Sequence, residues 1–258
     1  MPADLGPAMT AEFDTVAEWT AEVAAGLGPG YYLPAACRGS GQPAALYWLL
    51  RALAPRPGAA MIDVGAGLGG PAAYAAAQAG VRPVLLEPEP GACRAAARLF
   101  GAPVAQADAA CLPVATAAAD TAWCLGVLCT APDPDAQLAM LRELRRILRP
   151  AGRLGLLVFT AAAAHLDDPP QGNCFPAADG LSALIGQAGL VVGGQADTAS
   201  LAPAPRDWED RTAAVEQELD RRYGSAPQLA QAREQSRRIG ALLASGQLTS
   251  QLLWLQPG

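Results

Sequence analysis

Residues 60–71 form a glycine-rich segment that only a few folds accommodate. The segment is Ala-Met-Ile-Asp-Val-Gly-Ala-Gly-Leu-Gly-Gly-Pro, in which a short apolar run ends near an acid and a proline precedes an alanine-rich stretch. Because glycine lacks a Cβ atom, the backbone here can turn tightly and lie directly against a ligand. A helix that begins near Pro71 directs its free N–H groups to the same place. The segment therefore predicts a strand, a turn and a helix that together form a nucleotide-type cofactor site.

The spacing of the glycines alone leaves two kinds of cofactor open. Gly65, Gly67 and Gly70 fit the G-x-G-x-x-G pattern of dinucleotide sites, whereas Gly65, Gly67 and Gly69 fit the G-x-G-x-G pattern of S-adenosylmethionine sites. Asp63 lies two residues before the first glycine, where a dinucleotide-binding strand is normally apolar. A carboxylate there attracts an ammonium or sulfonium group and repels a pyrophosphate. Asp63 therefore favours S-adenosylmethionine.

Strand-like and helix-like segments alternate along the chain, which predicts a parallel sheet with helices on both faces. The predicted strands cover residues 60–64, 83–86, 104–106, 121–125, 153–159, 190–192 and 251–255. The predicted helices cover residues 10–27, 43–53, 71–79, 91–100, 134–148, 207–223 and 227–244, with a loop through residues 28–42 and Asp133 as the N-cap of the helix at 134.

Composition excludes several classes of function. The net charge of the 258-residue chain is −6 and no basic block is present, which argues against a nucleic-acid partner. No apolar run is long enough to span a membrane, and the first residues lack the pattern of a signal peptide. A single histidine and six cysteines without C-x-x-C spacing make a metal site unexpected. We therefore expect a cytoplasmic protein that acts on a small molecule.

An acid at the end of the second predicted strand marks the position of an adenosine. Glu87 lies about 20 residues after Gly65, the separation at which a carboxylate accepts hydrogen bonds from both ribose hydroxyls. NAD-dependent enzymes share this arrangement, so Glu87 indicates adenosine without choosing the cofactor.

Four ordered segments resemble the class I S-adenosylmethionine-dependent methyltransferases, particularly their small-molecule branch. They are residues 63–71 (D-V-G-A-G-L-G-G-P), 106–113 (Q-A-D-A-A-C-L-P), 120–129 (D-T-A-W-C-L-G-V-L-C) and 142–154 (R-E-L-R-R-I-L-R-P-A-G-R-L). Gln106 and Ala151 replace glycines of the family pattern. Leu125 and Gly126 stand where many terpenoid- and sterol-type relatives carry a carboxylate, so the general base of those relatives is missing here.

The resemblance implies a doubly wound, Rossmann-like α/β fold with a seven-stranded sheet and an antiparallel last strand. It implies one domain over residues 1–258, composed of an N-terminal helical cap (1–54), a cofactor-binding core (55–194), a helical lid insertion (195–248) and the last strand (249–258). Asp108 would accept a hydrogen bond from the adenine amino group, and the Ala109 N–H would meet a ring nitrogen. The full predicted cofactor set is Arg38, Asp63, Gly65, Ala66, Gly67, Gly69, Glu87, Pro88, Asp108, Ala109, Leu125 and Gly126.

Candidate residues for the methyl acceptor come from loops and from the predicted lid. His165 follows the fifth predicted strand, where it is placed to act as a base. Arg38 has a second candidate role, which is to hold an acidic substrate. The predicted substrate residues are Tyr31, Tyr32, Val127, Cys129 and Trp208.

These patterns predict an enzyme that transfers a methyl group from S-adenosylmethionine to a small, largely apolar metabolite of secondary metabolism. The reaction would be a direct displacement that depends on proximity and orientation. Two alternatives remain open at this stage. One is an NAD-dependent oxidoreductase of the same layer plan. The other is a methyltransferase-like protein that transfers no methyl group and has a binding or cyclisation role.

Overall fold

A seven-stranded sheet forms the centre of the molecule, in a computed structural model that describes residues 11–37 and 41–258. The strands are β1 (Ala60–Val64), β2 (Arg82–Glu87), β3 (Val104–Gln106), β4 (Ala119–Leu125), β5 (Leu148–Ala161), β6 (Leu190–Asp197) and β7 (Leu248–Pro257). Their order across the sheet is β3-β2-β1-β4-β5-β7-β6. Strand β7 is antiparallel to both of its neighbours, and the pairs from β3 to β5 are parallel. The predicted fold class is confirmed.

Helices cover both faces of the sheet. They are α1 (Ala17–Leu27), α2 (Tyr32–Ala36), α3 (Pro43–Leu53), α4 (Gly70–Ala79), α5 (Pro90–Phe100), α6 (Pro134–Ile147), α7 (Ala178–Gln187), α8 (Arg206–Tyr223) and α9 (Pro227–Ala244). A π-helical turn, Ala11–Val16, precedes α1. Short 3-10 turns occupy Pro29–Tyr31, Leu128–Thr130 and Thr198–Ser200. In the described part of the chain, no helix combines the length and the apolar character that a membrane span requires.

Alternation along β1 divides the core between the two faces of the sheet. Ile62 and Val64 pack on the side of α6 and α7, and Met61 packs on the opposite side with α3 and Trp123. Because side chains alternate along a strand, Asp63 lies on the Met61 side, where it pairs in register with Trp123 of β4. The acid of the glycine-rich segment is therefore inside the core, and 2% of its surface is exposed.

Strands β6 and β7 extend several residues beyond their predicted bounds, and three other elements also differ from the sequence-based expectation. Strand β5 begins at Leu148 instead of residue 153, because residues 148–152 continue along β4 across a register irregularity. Helix α2 lies in the region predicted as loop; its proline, Pro34, falls within the first turn, where no intrahelical N–H is needed. Helix α7 was not predicted, although its buried residues Leu181, Leu184 and Ile185 have helical spacing.

The N-terminal turn is attached to the core through α5. The Asp14 carboxylate accepts a hydrogen bond of 2.5 Å from the Gly91 N–H, and Glu18 pairs with Arg94 on the same helix. An anionic group at the N-terminal end of a helix is stabilised by the free N–H groups and by the helix dipole. Trp19 of α1 stacks on Tyr223 of α8 with a centroid separation of 4.4 Å, so the N-terminal helix also contacts α8.

A methyl group at position 91 tests this attachment. The Cβ atom of alanine at this position would overlap with the Asp14 carbonyl oxygen. We expect Gly91→Ala to lower the free energy of unfolding by about 1–3 kcal/mol, the usual cost of overpacking. Urea denaturation measures the change. The control is Gly186→Ala in α7, where nothing lies within 4 Å of the added atom. Equal stability of the two variants would show that Asp14 and Gly91 are not in close contact.

Candidate functional site

A cavity of about 430 Å³ opens at the carboxyl ends of β1, β2 and β4. One part of its wall comes from the strand ends and the glycine turn, namely Gly65, Gly67, Leu68, Glu87, Pro88, Leu125, Gly126 and Val127. The rest comes from the cap, the loops after β4 and β5, and helix α9, namely Glu12, Phe13, Ala36, Cys129, Thr130, Phe159, Asn173, Gln235, Ser236, Ile239, Gly240 and Leu243. Ligands of open α/β sheets bind at this edge.

The glycine turn needs glycine at the two positions that line the cavity. Gly65 has φ of +69° and Gly67 has φ of +52°, the left-handed region that residues with a Cβ atom rarely adopt. A Cβ atom on Gly65 would overlap with Val127 Cγ2 across the turn. A Cβ atom on Gly67 would meet nothing within 4 Å, so the space above this backbone is open to a ligand. The N–H of Gly65 donates to Leu86 O at 2.8 Å, which fixes the turn against β2.

Glu87 presents a buried carboxylate at the end of β2. Its Oε2 accepts a hydrogen bond from the Gly67 N–H at 2.8 Å, and its Oε1 accepts one from the Glu89 N–H at 3.0 Å. Burial raises the pKa of Glu87 to about 7, and the two N–H donors partly oppose the rise. Each carboxylate oxygen can accept more than one hydrogen bond, so Glu87 keeps acceptor capacity for hydroxyl donors in the cavity.

Asp63 lies behind the cavity wall and not in it. Its Oδ2 is fully buried and has no hydrogen-bond partner among the described residues. Burial raises the pKa of Asp63 to about 7; Trp123 opposes this rise, and the negative charge of Glu87 adds to it. The Asp63 charge in turn adds to the rise in the pKa of the Cys37 thiol, which comes mainly from burial. Cys37 immediately precedes residues 38–40, which lie outside the described residues. The predicted ligand Arg38 is the first of these three residues.

The two raised pKa values predict that stability depends on pH. The ordinary pKa values are 4.5 for Glu87 and 3.8 for Asp63, so between these values and about 7 the folded protein holds protons that the unfolded chain has released. The contribution of these two carboxyl groups to stability is therefore largest below their ordinary pKa values and falls as the pH rises to about 7. We expect the free energy of unfolding of the ligand-free protein to fall between about pH 5 and pH 8, and to fall less in Glu87→Gln. Urea denaturation across this range measures both slopes, and equal slopes would contradict the pKa shift of Glu87.

The predicted cofactor residues fall into two groups. Those that line the cavity are Gly65, Gly67, Glu87, Pro88, Leu125 and Gly126. Those outside its wall are Asp63, Ala66, Gly69, Asp108 and Ala109. The Asp108 Oδ1 accepts a hydrogen bond from the Ala110 N–H at 2.8 Å, so it holds the turn after β3, and the Ala109 side chain packs in the core. A Cβ atom on Gly69 would lie 2.8 Å from Leu85 Cδ2, so this glycine lets α4 approach β2.

The predicted acceptor residues also fall into two groups, those that line the cavity and those that do not. Val127 and Cys129 line the cavity, and burial raises the pKa of the Cys129 thiol to about 12, so the thiol stays protonated. Tyr31 and Tyr32 instead pack against a cluster of buried residues from α1, α2, α5, α8 and α9. The last two predicted residues, Trp208 and His165, lie elsewhere. Trp208 lines a second cavity of about 310 Å³ between α3, α8 and β7, and His165 is exposed in the loop after β5 and lines neither cavity.

Sequence reasoning missed the α9 side of the cavity. Gln235, Ser236, Ile239, Gly240 and Leu243 follow the spacing of one helix face. The amphipathic pattern predicts this helix, but a pattern alone does not tell which neighbour a face meets. Phe13, Phe159 and Asn173 were missed for the same reason.

Comparison with known proteins identifies the domain. The family model of the methyltransferase domain matches residues 62–156. No curated protein matches the chain significantly.

Three solved structures share the fold over most of the chain. The 4+2 cyclase SpnF has a TM-score of 0.60 at 21% identity and covers 82% of this chain and 79% of that one. The cyclopropane synthase MmaA2 from Mycobacterium tuberculosis has a TM-score of 0.66 at 17% identity and covers 82% of each chain. The geranyl diphosphate C-methyltransferase from Streptomyces coelicolor A3(2), solved with Mg²⁺, geranyl diphosphate and S-adenosyl-L-homocysteine, has a TM-score of 0.57 at 13% identity and covers 83% of this chain and 76% of that one.

The chain thus has the seven-stranded fold of the class I methyltransferases, with the family's domain spanning β1 to β5. Residues 62–156 match the methyltransferase domain, as the resemblance of residues 63–71 predicted, and this match supports an enzyme that uses S-adenosylmethionine. The strand order argues against the NAD-dependent alternative, because the dinucleotide-binding sheet has order 3-2-1-4-5-6 and lacks the antiparallel β7 inserted between β5 and β6.

Proposed function

We propose that this protein transfers the methyl group of S-adenosylmethionine to a small, largely apolar metabolite, with a role in secondary metabolism. One observation carries the proposal. A single cavity is lined on one side by the glycine turn and Glu87, and on the other by apolar residues of α9 such as Ile239 and Leu243. A cofactor and an acceptor can therefore meet in one enclosed space.

The residues present fit the cofactor. Glu87 would accept hydrogen bonds from the ribose hydroxyls, because its carboxylate faces the cavity and, in the described part of the chain, accepts hydrogen bonds from two backbone N–H groups. Gly67 would lie against the nucleoside, since the position of its missing Cβ atom is open. Leu125 and Gly126 would border the methionine part at the end of β4. Asp63 would act from behind the wall through its negative charge, because its Oδ2 is buried without a partner among the described residues.

When bound, S-adenosylmethionine supplies a methyl group that positive sulfur already activates for displacement. The work left to the protein is to place the acceptor in line and to exclude water. Phe13, Phe159, Ile239 and Leu243 provide an apolar enclosure for this purpose. Glu12 is the titratable side chain that the cap contributes to the wall, and it would take a proton from an acceptor that must lose one.

Methyl-labelled S-adenosylmethionine tests the proposal. The protein is incubated with the labelled cofactor and, separately, with pools of small apolar molecules, with protein and with RNA. We expect label to appear in small molecules, each with the mass gain of one methyl group. Label confined to protein or RNA would overturn the proposed acceptor class. Tight binding of S-adenosylhomocysteine with no methylated product in any pool would favour the binding or cyclisation role instead.

A further inference from the structure

Gln235 of α9 is a polar residue in the otherwise mainly apolar lid side of the cavity. We propose that its side-chain amide donates a hydrogen bond to an oxygen of the methyl acceptor, and that the acceptor is a compact apolar molecule bearing a carbonyl or hydroxyl oxygen. The inference rests on the proposed function and adds the group by which the acceptor is recognised. Gln235 is a specificity residue in this account and takes no part in the displacement.

The orientation of the Gln235 amide follows from its neighbour. Its Oε1 accepts a hydrogen bond of 3.1 Å from the backbone N–H of Gln171. A backbone N–H can only donate, so the oxygen of the amide must face Gln171 and the NH₂ group must be the other end. The two donors of Nε2 are therefore the part of the side chain left for a ligand.

The Nε2 group retains surface on the cavity. Gln235 is 7% exposed and lines the cavity wall, and no described residue accepts a hydrogen bond from its Nε2. The fully buried side-chain atoms that lack a partner in the described residues are Asp63 Oδ2, Trp123 Nε1 and Gln137 Oε1, and Gln235 Nε2 is not among them. A donor that is nearly buried and unpaired gains a hydrogen bond when a ligand oxygen approaches it, and it disfavours a ligand that offers none.

The surroundings make this donor selective. Ile239 and Leu243 continue the same face of α9, and Phe159 lies across the cavity. Asn173, an amide of the cavity wall in the loop after β5, is directed to Cys129, where its Nδ2 donates to the carbonyl oxygen and to Sγ at 3.4 Å each. An amide donor in a mainly apolar wall distinguishes oxygen-bearing molecules from hydrocarbons of the same shape.

The loop that positions Gln235 is held at several points. Cys174 N–H donates to Cys129 O at 2.8 Å, and Gln137 Nε2 donates to Cys174 O at 2.7 Å. Arg238 of α9 pairs with Asp168 at 3.3 Å. These contacts join the loop after β5 to the 3-10 turn after β4, to α6 and to α9, so the Gln235 amide is fixed before a ligand arrives.

A pair of isosteric probes measures the donor directly. Acetophenone and α-methylstyrene have the same shape, but the first presents a carbonyl oxygen where the second presents a CH₂ group. Their affinities are measured by ligand-observed NMR for protein saturated with S-adenosylhomocysteine. The ratio of the two affinities is compared among wild type, Gln235→Met, Gln235→Glu and the control Gln228→Met, which changes a glutamine of α9 outside the cavity wall.

We expect the affinity ratio, acetophenone to α-methylstyrene, to fall about three- to tenfold in Gln235→Met and to stay constant in Gln228→Met. The variant Gln235→Glu is measured at pH 9, where its carboxyl group is ionised. It then keeps an acceptor for the Gln171 N–H but has no donor. We expect its ratio to fall by the same factor relative to wild type at that pH.

Other outcomes overturn the proposal. An unchanged ratio in Gln235→Met means that the amide does not contact the ligand oxygen. A fall in Gln235→Met without a fall in Gln235→Glu means that the contact with Gln171, and not the donor, is responsible. Binding of neither probe to the saturated wild type also counts against it. Failure of wild type to bind S-adenosylhomocysteine is a different result, because it contradicts the proposed function itself.

Discussion

Replacing Glu87 by alanine is expected to weaken the binding of S-adenosylhomocysteine by about 1.5–3 kcal/mol, which is roughly a 10- to 150-fold rise in Kd. The carboxylate lies in the cavity wall at the end of β2, where it is placed to accept hydrogen bonds from the two ribose hydroxyls. Hydrogen bonds to a charged group contribute more than those between neutral groups. Isothermal titration calorimetry with purified protein measures the change.

Glu89→Ala is the matched control for this variant. Glu89 lies two residues further along the chain, its side chain does not line the cavity, and its hydrogen bond to Glu87 comes from its backbone N–H. We expect its Kd to stay within about twofold of wild type, since a surface substitution usually changes little. Equal losses in the two variants would indicate a general disturbance of the turn, and no loss in Glu87→Ala would place the adenosine elsewhere.

A methyl group at Gly65 is expected to lower the free energy of unfolding by about 2–4 kcal/mol. Two causes combine. The φ of +69° is unfavourable for alanine, and the added Cβ atom would overlap with Val127 Cγ2. The same atom narrows the turn that lines the cavity, so the affinity for S-adenosylhomocysteine should fall as well. Urea denaturation and calorimetry on the same preparation measure the two effects.

Gly58→Ala separates the two causes. Gly58 has φ of +76°, and nothing lies within 4 Å of an added Cβ atom, so this variant carries only the backbone cost. We expect it to be destabilised by about 1 kcal/mol and to bind the ligand normally. The double variant Gly65→Ala, Val127→Ala should recover part of the lost stability, because the overlap is removed. Identical destabilisation of Gly58→Ala and Gly65→Ala would contradict the contact with Val127.

The part of the fold that holds the cofactor could be predicted from local patterns. The strand from Ala60 to Val64 is short, apolar except for Asp63 and followed by glycines, and each of these signals acts within a few residues. Glu87 could be assigned to the end of β2 because the apolar run before it ends there. Such signals fix where elements begin and end, and the parallel order then brings the strand ends together.

The acceptor side could not be predicted in the same way. Which face of α9 meets the cavity depends on how the helix docks against the cap and against the loop after β5, and this docking uses contacts between residues far apart in sequence, such as Gln171 with Gln235. The position of Asp63 shows a different limit of prediction from sequence. Its residue type indicated the family, but strand alternation turns its side chain into the core and away from the cavity wall. Composition and spacing likewise could not place His165 or Trp208 relative to the site.

The crystal structure of the protein with S-adenosylhomocysteine tests the central claim most directly. The claim is that one cavity receives the cofactor at the ends of β1, β2 and β4 and leaves room for an acceptor beside α9. We predict both ribose hydroxyls within hydrogen-bond distance of Glu87, and the sulfur directed toward the space between Val127 and Ile239. A ligand bound elsewhere, or one whose sulfur faces away from α9, would contradict the account.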